Sequence, residues 1–316
     1  MLEIEEEQPM KILVTGGGGY VGNVLCRDLL HLGYDVRCLD NFHKGQCDAL
    51  IGLAQNPRFE FMYGDVINVN DVVKALDGVD GVIHLASLVG FPACAKQPSL
   101  ATSVNIDGSL NLLEHRNESI PLIFASTGSV YGKVDGVCTE DSPLRAVSLY
   151  GETKKAAEME IRSAPNTISY RFATGFGVST CMRVNLLVND FVYQAMTQKC
   201  LNIFQAHFRR TFIHVKDMSK AFIYGIENYK NMSYNVYNVG DNNLNWTKAE
   251  LAEYIADKTG AIVHYAEIGQ DSDQRDYEVD YSKINAEGFE CSVTMQQGID
   301  ELIKVVPLLQ IRHQYS

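Results

Sequence analysis

Gly16, Gly19 and Gly22 stand at G-x-x-G-x-x-G spacing in Thr15-Gly16-Gly17-Gly18-Gly19-Tyr20-Val21-Gly22, between an apolar run and a segment of helical periodicity. Glycines in such a turn let the backbone bend tightly and approach a pyrophosphate with no Cβ in the way. The free N–H groups and the positive end of the following helix then hold the phosphate charge. The string alone is weak evidence, but Asp40 ends the next apolar run about 20 residues on. A carboxylate there accepts both ribose hydroxyls and repels a 2′-phosphate, which selects NAD over NADP.

A second constellation follows. Ser126-Thr127-Gly128-Ser129-Val130-Tyr131-Gly132 comes directly after the apolar run Pro121–Ala125, and Tyr150-Gly151-Glu152-Thr153-Lys154 opens a helical pattern. Tyr150 and Lys154 are i and i+4 and share one helix face. A free phenol, with a pKa near 10, is a poor base at neutral pH. A neighbouring ammonium and a positive nicotinamide ring favour its phenolate. Tyr150 can then take a hydroxyl proton while the hydride on the same carbon goes to NAD⁺, with Thr127 hydrogen-bonded to the same oxygen and Lys154 orienting the nicotinamide ribose. Tyr-x-x-x-Lys on a helix is common. What carries the reading is the conjunction of glycine loop, acid, hydroxyl segment and Tyr/Lys helix in this order.

The elements that must position these residues are legible as alternation. A buried-strand run at Lys11–Thr15 and further strands at Asp35–Leu39, Phe59–Tyr63, Gly81–Leu85, Pro121–Ala125 and Thr167–Arg171 are separated by helical patterns around 20–32, 70–77, 98–116 and 149–161. Strand–helix alternation predicts an α/β fold with a doubly wound parallel sheet, and a ligand beyond the carboxyl ends of its strands. After about residue 178 the rhythm loosens into helices around 185–199, 217–229 and 247–258 and short strands near 211–215 and 235–239. The expected division is a nucleotide-binding domain over 1–178 and a smaller, interleaved α/β substrate-binding region over 179–316.

Composition narrows the partners. With 27 Lys and Arg against 39 Asp and Glu, the net charge is −12, so nucleic acid and anionic membranes are not expected partners. No window approaches the roughly 20 apolar residues of a membrane span. The acidic N-terminus is unlike a signal peptide. Eight scattered cysteines show neither CxxC nor zinc spacing, which predicts reduced thiols, a cytoplasmic setting and no metal. Asp65, after the third strand, reads either as an adenine contact or as a turn acceptor. His84 lies in an apolar run and reads as a hydrogen-bonded core residue, and His207 and His214 read as structural.

From Lys11 to about residue 305 the sequence resembles the extended short-chain dehydrogenase/reductases of the nucleotide-sugar epimerase and dehydratase group. The matching segments are the glycine loop, Asp40-Asn41, Gly64-Asp65, His84-Leu85-Ala86, Val104–Gly108, Ser126–Gly132, Tyr150–Lys154 and Arg210–Val215. The resemblance implies a Rossmann-type fold, bound NAD and a nucleoside-diphosphate sugar oxidised at C4. It implies cofactor contacts from Gly16, Gly19, Tyr20, Val21, Gly22, Asp40, Asn41, Asp65, Val66, Leu85, Ala86, Asn105, Tyr150 and Lys154. It assigns catalysis to Thr127, Tyr150 and Lys154, and substrate contacts to Thr127, Thr174, Arg183, Asn189, Arg210 and Arg275. It also implies a homodimer through a four-helix bundle formed by the helices near 98–116 and 149–161.

Within the group, 4,6-dehydratases carry an acid pair after the threonine, where this chain has Gly128-Ser129. That disfavours dehydration and leaves a 4-epimerase that returns its hydride. The segments Leu186–Phe191, Phe208–Arg210 and Ile268–Tyr277 are most similar to a branch that includes GDP-heptose 4-dehydrogenases, which makes a net 4-dehydrogenase the alternative. That branch has an arginine where this chain has Cys181, which reads as a packing residue more readily than as an acid or base. A uronic acid decarboxylase would need a cation near C6 that the sequence does not locate. The reading of another class is a non-catalytic NAD-binding sensor or scaffold, against which the complete Thr/Tyr/Lys set argues.

Overall fold

The computed structural model describes residues 9–43, 47–132, 134, 136–266 and 277–314. Its strands in chain order are β1 (Lys11–Thr15), β2 (Asp35–Asp40), β3 (Phe59–Tyr63), β4 (Gly81–His84), β5 (Leu122–Thr127), β6 (Val137–Cys138) and β7 (Thr167–Phe172). They continue as β8 (Thr174–Phe176), β9 (Cys200–Phe204), β10 (Arg209–His214), β11 (Asn235–Val239), β12 (Asn245–Thr247), β13 (Ile262–Ala266) and β14 (Glu278–Val279). Seven of them form one parallel sheet in the order β11-β7-β5-β4-β1-β2-β3.

β1 explains the architecture in miniature. Ile12 and Val14 point to one face, among Leu25 and Leu29 of the helix Gly22–His31 and Phe222 of the helix Val215–Met232. Leu13 points to the other, with Val82, Phe124, and Ala157 and Ile161 of the helix Leu149–Ile161. A strand covered on both faces must be apolar throughout, which is why these runs stand out in the sequence. The chain reverses its winding between β1 and β4, so the loops after those two strands diverge and leave a crevice.

The doubly wound sheet and the additional α/β elements after it match the expected class. Three particulars differ. The strand near 235–239, expected among the C-terminal elements, is β11 at the edge of the main sheet beside β7. The crossover helix Val215–Met232 packs on Gly22–His31, so the chain after it lands on the main sheet. Local periodicity carries no information about which sheet a strand joins. The segment 98–116 is not one uniform helix: Pro98–Thr102 and Gly108–His115 flank a π-turn, Ser103–Asp107. A long helix, Met295–Gln314, has no counterpart in the sequence reading. Its Met295 and Ile299 close a second core with Phe176, Val192, Leu201 and Leu251.

Around that second core lie the three-stranded sheet β12-β10-β8 and the parallel pair β9–β13. All eight cysteines are free thiols. Among the described residues no helix is long and apolar enough to cross a membrane.

Candidate active site

A cleft of about 1750 Å³ runs from the glycine loop across the strand ends to β8 and β10. Sites for one small molecule occupy roughly 300–1,000 Å³, so this cleft has room for two ligands.

At one end, glycine is required by geometry. Gly16 has φ +73°, and a Cβ on it would sit 2.7 Å from the Ala86 backbone N. A Cβ on Gly22 would run into the Gly16 carbonyl, which accepts the Gly19 N–H at 3.0 Å. Tyr20 and Val21 line the cleft beside them. Asp40 closes the loop from the opposite side: its Oδ2 accepts Gly18 N–H at 2.9 Å and its Oδ1 accepts Phe42 N–H at 2.8 Å. Burial pushes the Asp40 carboxyl up, and these backbone donors oppose the shift. Each carboxylate oxygen keeps a second acceptor site, which suits a ribose diol. Asp65 lines the wall but accepts Asn41 Nδ2 at 2.7 Å and Ile67 N–H at 3.1 Å, so its side chain builds the turn. Val66, Leu85 and Ala86 supply an apolar wall. A glycine-only turn, an acceptor at the ribose position and an apolar wall fit a dinucleotide with an unphosphorylated ribose.

Asn105 does not reach this cavity. It lies in the π-turn, fully buried. Its Oδ1 accepts Leu88 N–H at 2.7 Å and Ser87 Oγ at 2.8 Å, and its Nδ2 donates to Thr153 Oγ1 at 3.0 Å. It therefore ties the loop after β4 to the helix carrying Tyr150. His84 is a core residue, between Thr15 Oγ1 at 2.7 Å and Ser109 Oγ at 2.9 Å. Burial holds it neutral, with a pKa pulled down to about 3.

Thr127, Tyr150 and Lys154 all line the same cleft. Thr127 ends β5, and its Oγ1 accepts Ser129 N–H at 3.2 Å. Ser148 caps the next helix by accepting Gly151 N–H at 3.2 Å, so Tyr150 sits in its first turn at the strand ends. Lys154 is 1% exposed and lies 3.9 Å over the Phe124 ring. Burial lowers its pKa to about 7, against the pull of Glu158. Glu158, one turn on, accepts Arg171 Nη2 at 2.6 Å and Ser126 Oγ at 2.5 Å. The network fixes the helix carrying Tyr150 against β5 and β7, and with them the spacing of Thr127 from Tyr150.

Thr174 of β8, Arg183 and Arg210 also line the cleft, Arg183 with its Nη2 3.9 Å from the point a Cβ on Gly90 would occupy. Asn189, expected to touch substrate, does not line the cleft. Its Oδ1 accepts Gly177 N–H at 3.0 Å and its Nδ2 donates to the Arg183 carbonyl at 2.9 Å, so it holds the loop that presents Arg183. Arg275 lies outside the described residues. Cys181 is buried in the cleft wall, and His214 caps Val215–Met232 by accepting Lys216 N–H at 3.3 Å. Lys248 was not legible in the sequence. It lines the cleft at the start of the helix Lys248–Thr259, is 3% exposed, and donates to the Phe204 carbonyl at 2.6 Å. A single lysine at a helix start carries no chemical signal until β9 and β10 bring it to the site.

The family model for the NAD dependent epimerase/dehydratase family matches residues 12–240. A UDP-glucose 4-epimerase of Corynebacterium glutamicum is 30% identical over 79% of this chain and 81% of its own length. A CDP-paratose 2-epimerase of Salmonella typhi is 27% identical over 93% and 98%. The structure of UDP-glucuronic acid 4-epimerase from Bacillus cereus, in complex with UDP-glucuronic acid and NAD, superposes with a TM-score of 0.83. That protein is 26% identical, and the match covers 95% of this chain and 100% of that one. The glycine loop, Thr127, Tyr150 and Lys154 lie within the matched residues, and we conclude that the chain is an enzyme and belongs to the NAD dependent epimerase/dehydratase family.

Proposed function

We propose that the protein oxidises C4 of a nucleoside-diphosphate sugar and returns the hydride to the opposite face, as a 4-epimerase. The observation that supports the reading is that Thr127, Tyr150 and Lys154 line the same cleft as the glycine loop and Asp40. NAD, held by the glycine loop, Asp40 and Lys154, supplies the hydride acceptor and donor when bound. Tyr150 takes the C4 hydroxyl proton and later gives it back. The Lys154 ammonium favours the phenolate, and Thr127 Oγ1 holds the substrate oxygen. No carboxylate stands beside Thr127 in Gly128-Ser129, which supports epimerisation over water elimination. The 4-epimerases among the relatives support the same choice.

The reading includes a working division at about residue 178, a cytoplasmic setting, and a homodimer through the helices of 98–116 and 149–161, on which Met159 is 51% exposed. Sedimentation measures the dimer directly. A C4-deuterated nucleotide sugar tests the chemistry. Epimerisation keeps the deuterium at C4 of the inverted product. A net 4-dehydrogenase yields a ketosugar without it, and a sensor yields no product.

A further inference from the structure

The glycine loop is tied to the segment 177–183 through the back of its own peptide units. In a trans peptide the N–H and the C=O of one unit point in opposite directions within one rigid plane. Tyr20 N–H and Val21 N–H stand at the start of the helix Gly22–His31, which has no side-chain cap, and neither donates to a backbone carbonyl among the described residues. The carbonyls on the far side of the same two planes are those of Gly19 and Tyr20, and both are held by side chains. Asn23 Nδ2 donates to the Gly19 carbonyl at 2.8 Å, and Ser179 Oγ donates to the Tyr20 carbonyl at 2.7 Å. Asn23 Nδ2 also donates to Ser179 Oγ at 2.9 Å, which closes the set. Beside it, Tyr20 Oη donates to the Gly177 carbonyl at 2.7 Å. Asn23, Ser179 and Tyr20 are all buried, so water does not compete for these bonds.

Asn189 extends the tie along the segment, since it accepts Gly177 N–H at 3.0 Å and donates to the Arg183 carbonyl at 2.9 Å. Thr180, Cys181, Met182 and Arg183 line the cleft, whereas neither Asn23 nor Ser179 does. A phosphate that accepts from Tyr20 N–H and Val21 N–H fixes both peptide planes and polarises them, which makes the Gly19 and Tyr20 carbonyls better acceptors. The bonds from Asn23 and Ser179 then strengthen and hold the segment 177–183 in one position. A second ligand that needs that position no longer has to order it, which is positive cooperativity. We propose that Asn23 and Ser179 are positioning residues that make the cofactor and the nucleoside diphosphate of the substrate bind cooperatively. The inference rests on the nucleoside-diphosphate-sugar reading.

The test starts from the NAD-loaded protein. Calorimetry shows which of UDP, GDP, CDP and dTDP it binds; these probes carry no hexose to meet the nicotinamide. Equilibrium dialysis then measures the NAD dissociation constant with and without each diphosphate that binds. Coupling of ordinary size predicts that at least one of them lowers that constant about fivefold or more, and that NAD tightens the same diphosphate by the same factor. Ser179→Ala and Asn23→Ala bring the factor below about twofold, and Ser179→Thr, which keeps the hydroxyl, retains it. A merely structural role weakens the two ligands separately and leaves the factor unchanged. Circular dichroism of each variant confirms the fold. An NAD constant that no bound diphosphate moves in the wild type overturns the inference and leaves the nucleotide-sugar reading standing, as does full coupling in Ser179→Ala. Binding of no diphosphate overturns that reading, and this inference with it.

Discussion

Lys154 and Asp40 are each held in a state that suits a ligand better than the empty cleft. The lysine is held at a pKa of about 7, against its ordinary 10.5. Between those values the unfolded chain binds the proton that the folded chain gives up, so stability rises with pH from about 7 towards 10.5, and below 7 the full penalty is present. Lys154→Met is expected to flatten that part of the stability curve. It also raises the midpoint of the cofactor-free protein at pH 7 by at least about 2–4 °C, while abolishing turnover. Thermal unfolding from pH 6 to 10 measures both effects. For Asp40→Ser the account predicts at least a tenfold loss of NAD affinity and a relative gain for NADP, read by titration of the stripped protein. The variant also loses about 1–3 kcal/mol, because the N–H groups of Gly18 and Phe42 lose their acceptor. At this scale the sequence was informative wherever a residue type is forced by geometry or chemistry. Gly16, Gly22, Asp40, Thr127, Tyr150 and Lys154 all line the cleft. Asn105 and Asn189 were legible as important but not in their manner of acting, because an amide serves equally on a ligand or on a loop backbone.

The elements are coupled through the buried set Ser126, Glu158, Arg171 and Tyr131. Arg171 Nη1 donates to Tyr131 Oη at 2.9 Å, and Tyr131 Oη donates to Asn238 Oδ1 at 2.6 Å, so the network reaches from β5 and the helix carrying Tyr150 through β7 to β11. Removing one partner strands a buried charge. Arg171→Leu is expected to destabilise the protein by about 3–5 kcal/mol, and Glu158→Leu with Arg171→Leu by less than Arg171→Leu alone. Denaturant melts of the three proteins decide this, and additive losses would contradict it. β1, β4, β5 and β7, buried on both faces, could be read to within a residue or two because their apolar runs are continuous. β8, β9, β12 and β13 could not, because short strands with exposed positions are indistinguishable from loops until a partner is known. Met295–Gln314 escaped because its apolar positions are interrupted by Pro307 and charged residues.

For the molecule as a whole, the cleft lies where the sheet reverses its winding, and its lining residues come from segments as far apart in the chain as Gly16 and Lys248. A ligand bridging them stabilises the whole fold. At 100 times its dissociation constant, NAD added to stripped protein is expected to contribute about 2.7 kcal/mol, visible as a rise in the unfolding midpoint. No rise would contradict the assignment of the glycine loop. The central claim, hydride transfer at C4 with Tyr150 as acid and base, is tested most directly by mass spectrometry. UDP-, GDP-, CDP- and dTDP-sugars are incubated with the NAD-loaded wild type and with Tyr150→Phe. The account predicts a new species of unchanged mass from one sugar with the wild type, and at least a hundredfold less with the variant. Equal conversion by the variant, or no conversion of any sugar by the wild type, would contradict it.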